Sequence, residues 1–143
     1  MLVRCLYASR PAKPVQADLL DQILEQSRRN NPPRGITGLL CFTSDVFVQV
    51  IEGGRDEVCE LYNAIVRDER HGYVRLLSYE EIGERRFPGW TMGQVNVDTV
   101  NRALLLKYSE KATLDPFGSP SQATMALLTE LVASGSILTR ASL

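Results

Sequence analysis

A primary amide stands in the middle of an apolar strand pattern, Val46-Phe47-Val48-Gln49-Val50-Ile51. Left unpaired in a protein interior, such an amide costs about 1–3 kcal/mol. Something polar must therefore meet Gln49. By the two-residue alternation of a strand, it shares a face with Phe47 and Ile51. Tyr7 lies in another strand pattern, Leu2–Ser9, on the face of Val3 and Cys5. If these two strands are neighbours, the phenol can donate to the Gln49 amide, which keeps its own donors for a third group. Asn31 falls at the end of an amphipathic helix, Val15–Arg29, whose stripe is Leu19, Leu20, Ile23, Leu24 and Ser27. Three neutral polar groups converging among Ile23, Phe47 and Ile65 suit a flat heteroaromatic ligand with carbonyls and ring nitrogens, and do not suit a phosphate alone. The bland alternative is that Tyr7 and Gln49 satisfy each other in an ordinary core.

Other chemistries find less support. Cys5, Cys41, Cys59 and the single His71 have no metal-ligand spacing, and the thiols read as reduced residues of a cytosolic protein. A net charge of −1 argues against a nucleic-acid or membrane-surface binder. No apolar run approaches the roughly 20 residues needed to span a bilayer. The chain opens directly on a strand pattern, so no signal peptide is expected. An acylphosphatase-like enzyme would have to use Arg10, but the Ala8–Pro14 segment with its two prolines makes a poor amide cradle.

The elements that must position these residues follow from periodicity and breakers. Asn30-Asn31-Pro32-Pro33 ends the first helix, and the residue before a proline is pushed to extended geometry. Gly35–Phe42 and Val46–Glu52 read as a hairpin around Thr43-Ser44-Asp45. A helix spans Arg55–Arg67, with Val58, Leu61, Tyr62 and Ile65 on its buried side. Strands follow at Tyr73–Ile82 and Trp90–Val97, then helical segments at Asp98–Tyr108 and Ser121–Ser134. The order β-α-β-β-α-β-β predicts an α+β, ferredoxin-like fold with both helices on one sheet face. Because Val46, Val48 and Val50 make the other face apolar too, the two C-terminal helices are expected to cover it. At 143 residues, 44% of them hydrophobic, the chain fits a core domain at 1–97 and a helical extension at 98–143.

Several motifs in order, Leu6-Tyr-Ala-Ser9, Ser27-Arg-Arg-Asn-Asn31, Gly35-Ile-Thr-Gly-Leu-Leu-Cys41, Phe47-Val-Gln-Val-Ile-Glu-Gly53, Arg67-Asp-Glu-Arg-His71 and Arg85-Arg-Phe-Pro-Gly-Trp-Thr-Met92, resemble the BLUF family of flavin-based blue-light sensors. Leu104-Leu-Leu-Lys-Tyr-Ser109 and the apolar helix after it look like the short PixD-type members, which lack an output enzyme. The resemblance implies a non-covalent flavin, with FAD expected and FMN or riboflavin left open. It implies that Tyr7 gives an electron and a proton, and that Gln49 bridges it to the flavin ring. It places Asn30 and Asn31 at the ring carbonyls, Asp68, Arg70 and His71 beside the ring and ribityl chain, and Trp90 and Met92 in a switch segment. By strand alternation, Trp90 and Met92 would share a face. Ala64 departs from the larger polar residue that several members place beside the ring. The resemblance further implies a cytoplasmic photoreceptor for signal transduction, with no enzymatic turnover. Such a protein forms a homo-oligomer and passes its signal to a response-regulator-like partner, and an exposed apolar stripe on the terminal helix would offer the interface. A flavin enzyme and a colourless interaction module are the competing readings.

Overall fold

The structure is a computed structural model and describes residues 1–134. Its elements run β1 (Leu2–Pro11), α1 (Ala17–Arg34), β2 (Thr37–Phe42), β3 (Phe47–Gly54), α2 (Arg55–Arg67), β4 (His71–Ile82), β5 (Gly93–Asn96), a 3₁₀ turn (Val97–Thr99), α3 (Arg102–Tyr108) and α4 (Ser121–Ala133). The β-α-β-β-α-β-β order is thus present, and the strands form one sheet in the order β4-β1-β3-β2-β5. Every pairing is antiparallel except β2 with β5. The register of β1 on β3 sets Tyr7 directly opposite Gln49.

Strand alternation sorts the core into two layers. Val3, Cys5, Phe47 and Ile51 point to one face, where Leu19, Leu20 and Ile23 of α1 and Leu61, Tyr62 and Ile65 of α2 cover them. Leu6, Ala8, Val48 and Val50 point to the other face, where Leu105 of α3 and Met125, Leu128 and Leu131 of α4 cover them. Each such buried aliphatic side chain contributes about 1.5–3 kcal/mol, so neither face can stay bare. The α4 stripe expected to be exposed for partner binding is therefore spent inside the chain: Leu128 and Leu131 have no exposed surface.

Two glycines are fixed by geometry. A Cβ on Gly38 would lie 2.1 Å from the Val50 carbonyl oxygen, so no larger residue fits that crossing of β2 and β3. Gly35 ends α1 in the left-handed region at φ 66°, where its N–H caps the Asn31 and Pro32 carbonyls. The first helix thus runs five residues beyond the expected Arg29, through Pro32 and Pro33. A helical proline releases the carbonyl four residues back. Here those carbonyls belong to the exposed Arg28 and Arg29, where water can take them. Asn31 is accordingly helical, not extended as the following proline suggested. The tertiary bonds at Asn31 outweigh that local preference, since the Ile36 N–H donates to its carbonyl and its side chain is held across the sheet.

Candidate functional site

Between the sheet and the α1/α2 layer lies a cleft of about 780 Å³, including the part open to solvent. Tyr7 from β1, Leu40 from β2 and Phe47 and Gln49 from β3 form its floor; Ile23, Ser27, Asn30 and Asn31 from α1 form one wall. Leu61 and Ile65 from α2 form the opposite wall, with Asp68, Arg70 and His71 at the end and Met92 beneath.

The Tyr7 hydroxyl donates to Gln49 Oε1. The Gln49 amide in turn donates to Met92 Sδ at 3.2 Å. Tyr7 is 4% exposed and Gln49 7%, so water does not substitute for either bond. Burial pushes the Tyr7 phenol well above its ordinary range, and the neighbouring Cys5, Tyr62 and Asp68 add to the shift. The group is a neutral donor at any physiological pH. Asn31 Nδ2 donates to the Thr91 carbonyl at 2.7 Å, while Asn30 stays exposed at the rim.

Polar groups close the far end. Arg70 grips Asp68 through Nε and Nη2, the latter 2.6 Å from Oδ2, and reaches Gln26 Oε1 at 3.1 Å. That bonding holds the Asp68 carboxyl below its usual range and raises Arg70. His71 spends both ring nitrogens. Nε2 lies 2.5 Å from the Ile65 carbonyl, which can only accept, so Nε2 carries the proton. Nδ1 then receives the Ser9 hydroxyl at 2.7 Å.

Trp90 is not in this cleft. It packs against the opposite core layer, toward the C-terminal helices, whereas Met92 is buried in the layer that faces α1 and α2. The expectation that they share a face fails because β5 begins only at Gly93. Residues 90–92 lie outside any strand, so alternation does not govern them. Leu40 and Ser27 were not singled out as site residues. Leu40 was detectable, being one of the alternate β2 residues that face the helices, whereas the Gln26–Arg70 bridge left no trace in the sequence. Ala64 and Arg67 are exposed on α2 and do not line the cleft. Arg10 lies within β1 and stacks its guanidinium 4.7 Å from the centre of the Phe117 ring, so it forms no phosphate loop. Among the described residues no group of His, Cys, Asp and Glu could hold a metal, and no helix is long and apolar enough to cross a membrane.

The donor set fits a flavin ring. Its walls are aliphatic and aromatic, its polar groups are neutral amides and a phenol, and one buried amide N–H is given to a thioether, a weak acceptor. A ring nitrogen or carbonyl entering the cleft can compete for that donor.

The family described as BLUF, sensors of blue-light using FAD, matches residues 2–93. The photoactivated adenylate cyclase subunit beta of Euglena gracilis is 34% identical over 92 residues, which are 64% of this chain and 11% of that protein. The blue light- and temperature-regulated antirepressor BluF of Escherichia coli (strain K12) is 32% identical over 89 residues, covering 61% and 22% of the two chains. This chain thus spans a small part of those curated relatives. The solved structure of BlsA in its photo-activated state matches all of both chains, with a TM-score of 0.80 and 30% identity.

Proposed function

Since this chain belongs to the BLUF family and is a flavin-binding sensor of blue light that uses FAD, we propose that Tyr7 and Gln49 are its photoactive pair and that its output is a binding event without turnover. The observation that carries this reading is the hydrogen bond from the Tyr7 hydroxyl to Gln49 Oε1 at the floor of the cleft.

The bound flavin supplies absorption of the blue photon and an excited state that takes up an electron. Tyr7 is the phenol on the cleft floor and would be the electron donor to that state. A neutral phenol has an ordinary pKa of about 10 and becomes a strong acid once oxidised. Its proton therefore moves to the atom it already faces, Gln49 Oε1. An amide both donates and accepts, so Gln49 can answer by rotating or changing tautomer. When the electron returns, Tyr7 is restored and the bonding of Gln49 has changed. That change reaches Met92, which holds the other end of the amide. Asn30 and Asn31 would hold the ring carbonyl edge, Asp68, Arg70 and His71 would flank the ring and ribityl chain, and Ile23, Phe47 and Ile65 supply apolar walls. Trp90 belongs to the same responding segment from the far side of the sheet.

We place the sensor domain at 1–97 and the output element at 98–143, of which residues 135–143 lie outside the described residues. The match with the whole of BlsA supports reading 98–143 together with the sensor domain as one light-responsive unit. Self-association and a response-regulator-like partner in the cytoplasm complete the reading. Tyr7→Phe and Gln49→Leu should each leave the purified protein yellow and abolish its light-induced red shift. A shift that persists in either variant removes the pair from the mechanism.

A further inference from the structure

Glu52 is a carboxylate with no exposed surface, three residues along β3 from Gln49 and on the opposite face of the sheet. Both of its oxygens are fully used as acceptors. Oε1 takes the Arg86 N–H at 3.0 Å and the Phe87 N–H at 2.7 Å. Oε2 takes the Arg86 N–H at 2.9 Å and Arg4 Nε at 2.8 Å. Arg85 adds a strap, donating to Thr37 Oγ1 at 2.9 Å and to the Glu52 carbonyl at 3.2 Å. Phe87 is fully buried in the core layer beneath α4. Residues 85–87 are thus pinned to β3.

The chain then has five residues, 88–92, before β5 begins. Within them Trp90 drops to the C-terminal face, the Trp90 carbonyl accepts the Gly38 N–H at 3.0 Å, the Thr91 carbonyl accepts Asn31, and Met92 Sδ accepts Gln49. A segment this short, tied at its start, has little freedom in which side chain it offers to the amide.

We propose that Glu52 is the positioning residue of the light response: by anchoring Arg86 and Phe87 it sets Met92, and not Trp90, against Gln49. The proposal rests on the Tyr7–Gln49 reading above. Glutamine at this position keeps the size but turns one acceptor oxygen into a donor, which would face the donors of Arg86, Phe87 or Arg4. Within a buried network a mismatched group of this kind is strongly unfavourable.

The test uses the full flavin-loaded chain and three variants. Glu52→Gln should keep the yellow colour but change the dark-recovery rate by about fivefold or more, the scale of one buried hydrogen bond felt differently by the lit state and by the transition state of recovery. It should also shift the emission of Trp90, the single tryptophan of the sequence. Glu80→Gln is the control. Glu80 pairs with the same Arg4 at 2.9 Å from a half-exposed position and does not touch the segment; its recovery and emission should match the wild type. Glu52→Asp, which retains a carboxylate, should show a smaller emission shift than Glu52→Gln. Should Glu52→Gln fail to fold, amide exchange on the wild type decides. Arg86 and Phe87 amides should be protected equally in darkness and light while the Thr91 to Gly93 amides change. Recovery and emission in Glu52→Gln equal to Glu80→Gln, or light-induced release of the Arg86 and Phe87 amides, would overturn the proposal. A wild type without any red shift would instead break the underlying reading.

Discussion

Deleting the phenol oxygen with Tyr7→Phe leaves Gln49 Oε1 without its donor, facing a ring edge at a site only 7% exposed. An acceptor stranded this way costs about 1–3 kcal/mol. Gln49→Leu strands the Tyr7 hydroxyl, itself 4% exposed, at a cost in the same range of about 1–3 kcal/mol. The double variant removes both polar groups and keeps nearly the same volume, and an apolar pair of matching shape can be close to neutral. Its destabilisation should therefore fall short of the sum of the singles by about 1–3 kcal/mol. With a urea slope of about 1–3 kcal/mol per molar, each single variant should lower the unfolding midpoint by roughly 0.5–1.5 M, while the double should lie near the milder single. The four proteins are unfolded in urea at one fixed excess of FAD, with flavin affinity measured for each so that its linked stabilisation can be subtracted. Single-variant costs that add to within about 0.5 kcal/mol would refute direct pairing of the two side chains.

Two further outcomes test the burial around the site. Burial, with Cys59 nearby, pushes the Cys5 thiol up to about 12, and burial alone raises Cys41, while Cys59 is exposed. At about pH 8, where a thiolate-selective disulfide reagent works well, the folded protein should yield one rapid equivalent and the denatured protein three; a second rapid equivalent before unfolding would contradict the packing of β1 and β2. Alkaline stability tests Tyr7. Its folded pKa is raised, so as pH climbs the unfolded chain releases the phenol proton first, at about 10. The stability this group contributes is present below about pH 10 and is lost above it. Tyr7→Phe should flatten the fall in stability between about pH 10 and 11 by up to about 1.4 kcal/mol per pH unit, and an unchanged slope would mean that the phenol is not buried as described.

Much of the site was legible because strand periodicity leaves little choice. Once Gln49 had to share the face of Phe47 and Ile51, and Tyr7 that of Val3 and Cys5, pairing of β1 with β3 brought the two together. Helix α2 begins at Arg55 and ends at Arg67, as its apolar stripe implied, with Asp56 and Glu57 in its first turn and Arg67 in its last complementing the helix dipole. Asn31 shows where local rules stop. The proline after it argued for extended backbone, yet Gly35 supplies a left-handed cap and the bond to Thr91 holds the side chain, so the helix continues. Trp90 and Met92 show the same limit: their opposite faces depend on backbone bonds at Gly38 and on the Glu52 anchor, both of which are long-range. The apolar stripe of α4 was visible, but a stripe alone does not say whether it meets a partner or the chain's own sheet.

The most direct measurement is a light-minus-dark absorption spectrum of the purified, flavin-loaded protein. A yellow solution whose flavin bands move to the red under blue light and return in darkness is the expected result. A colourless protein, or one that bleaches without returning, would contradict a light-reset hydrogen bond between Tyr7 and Gln49.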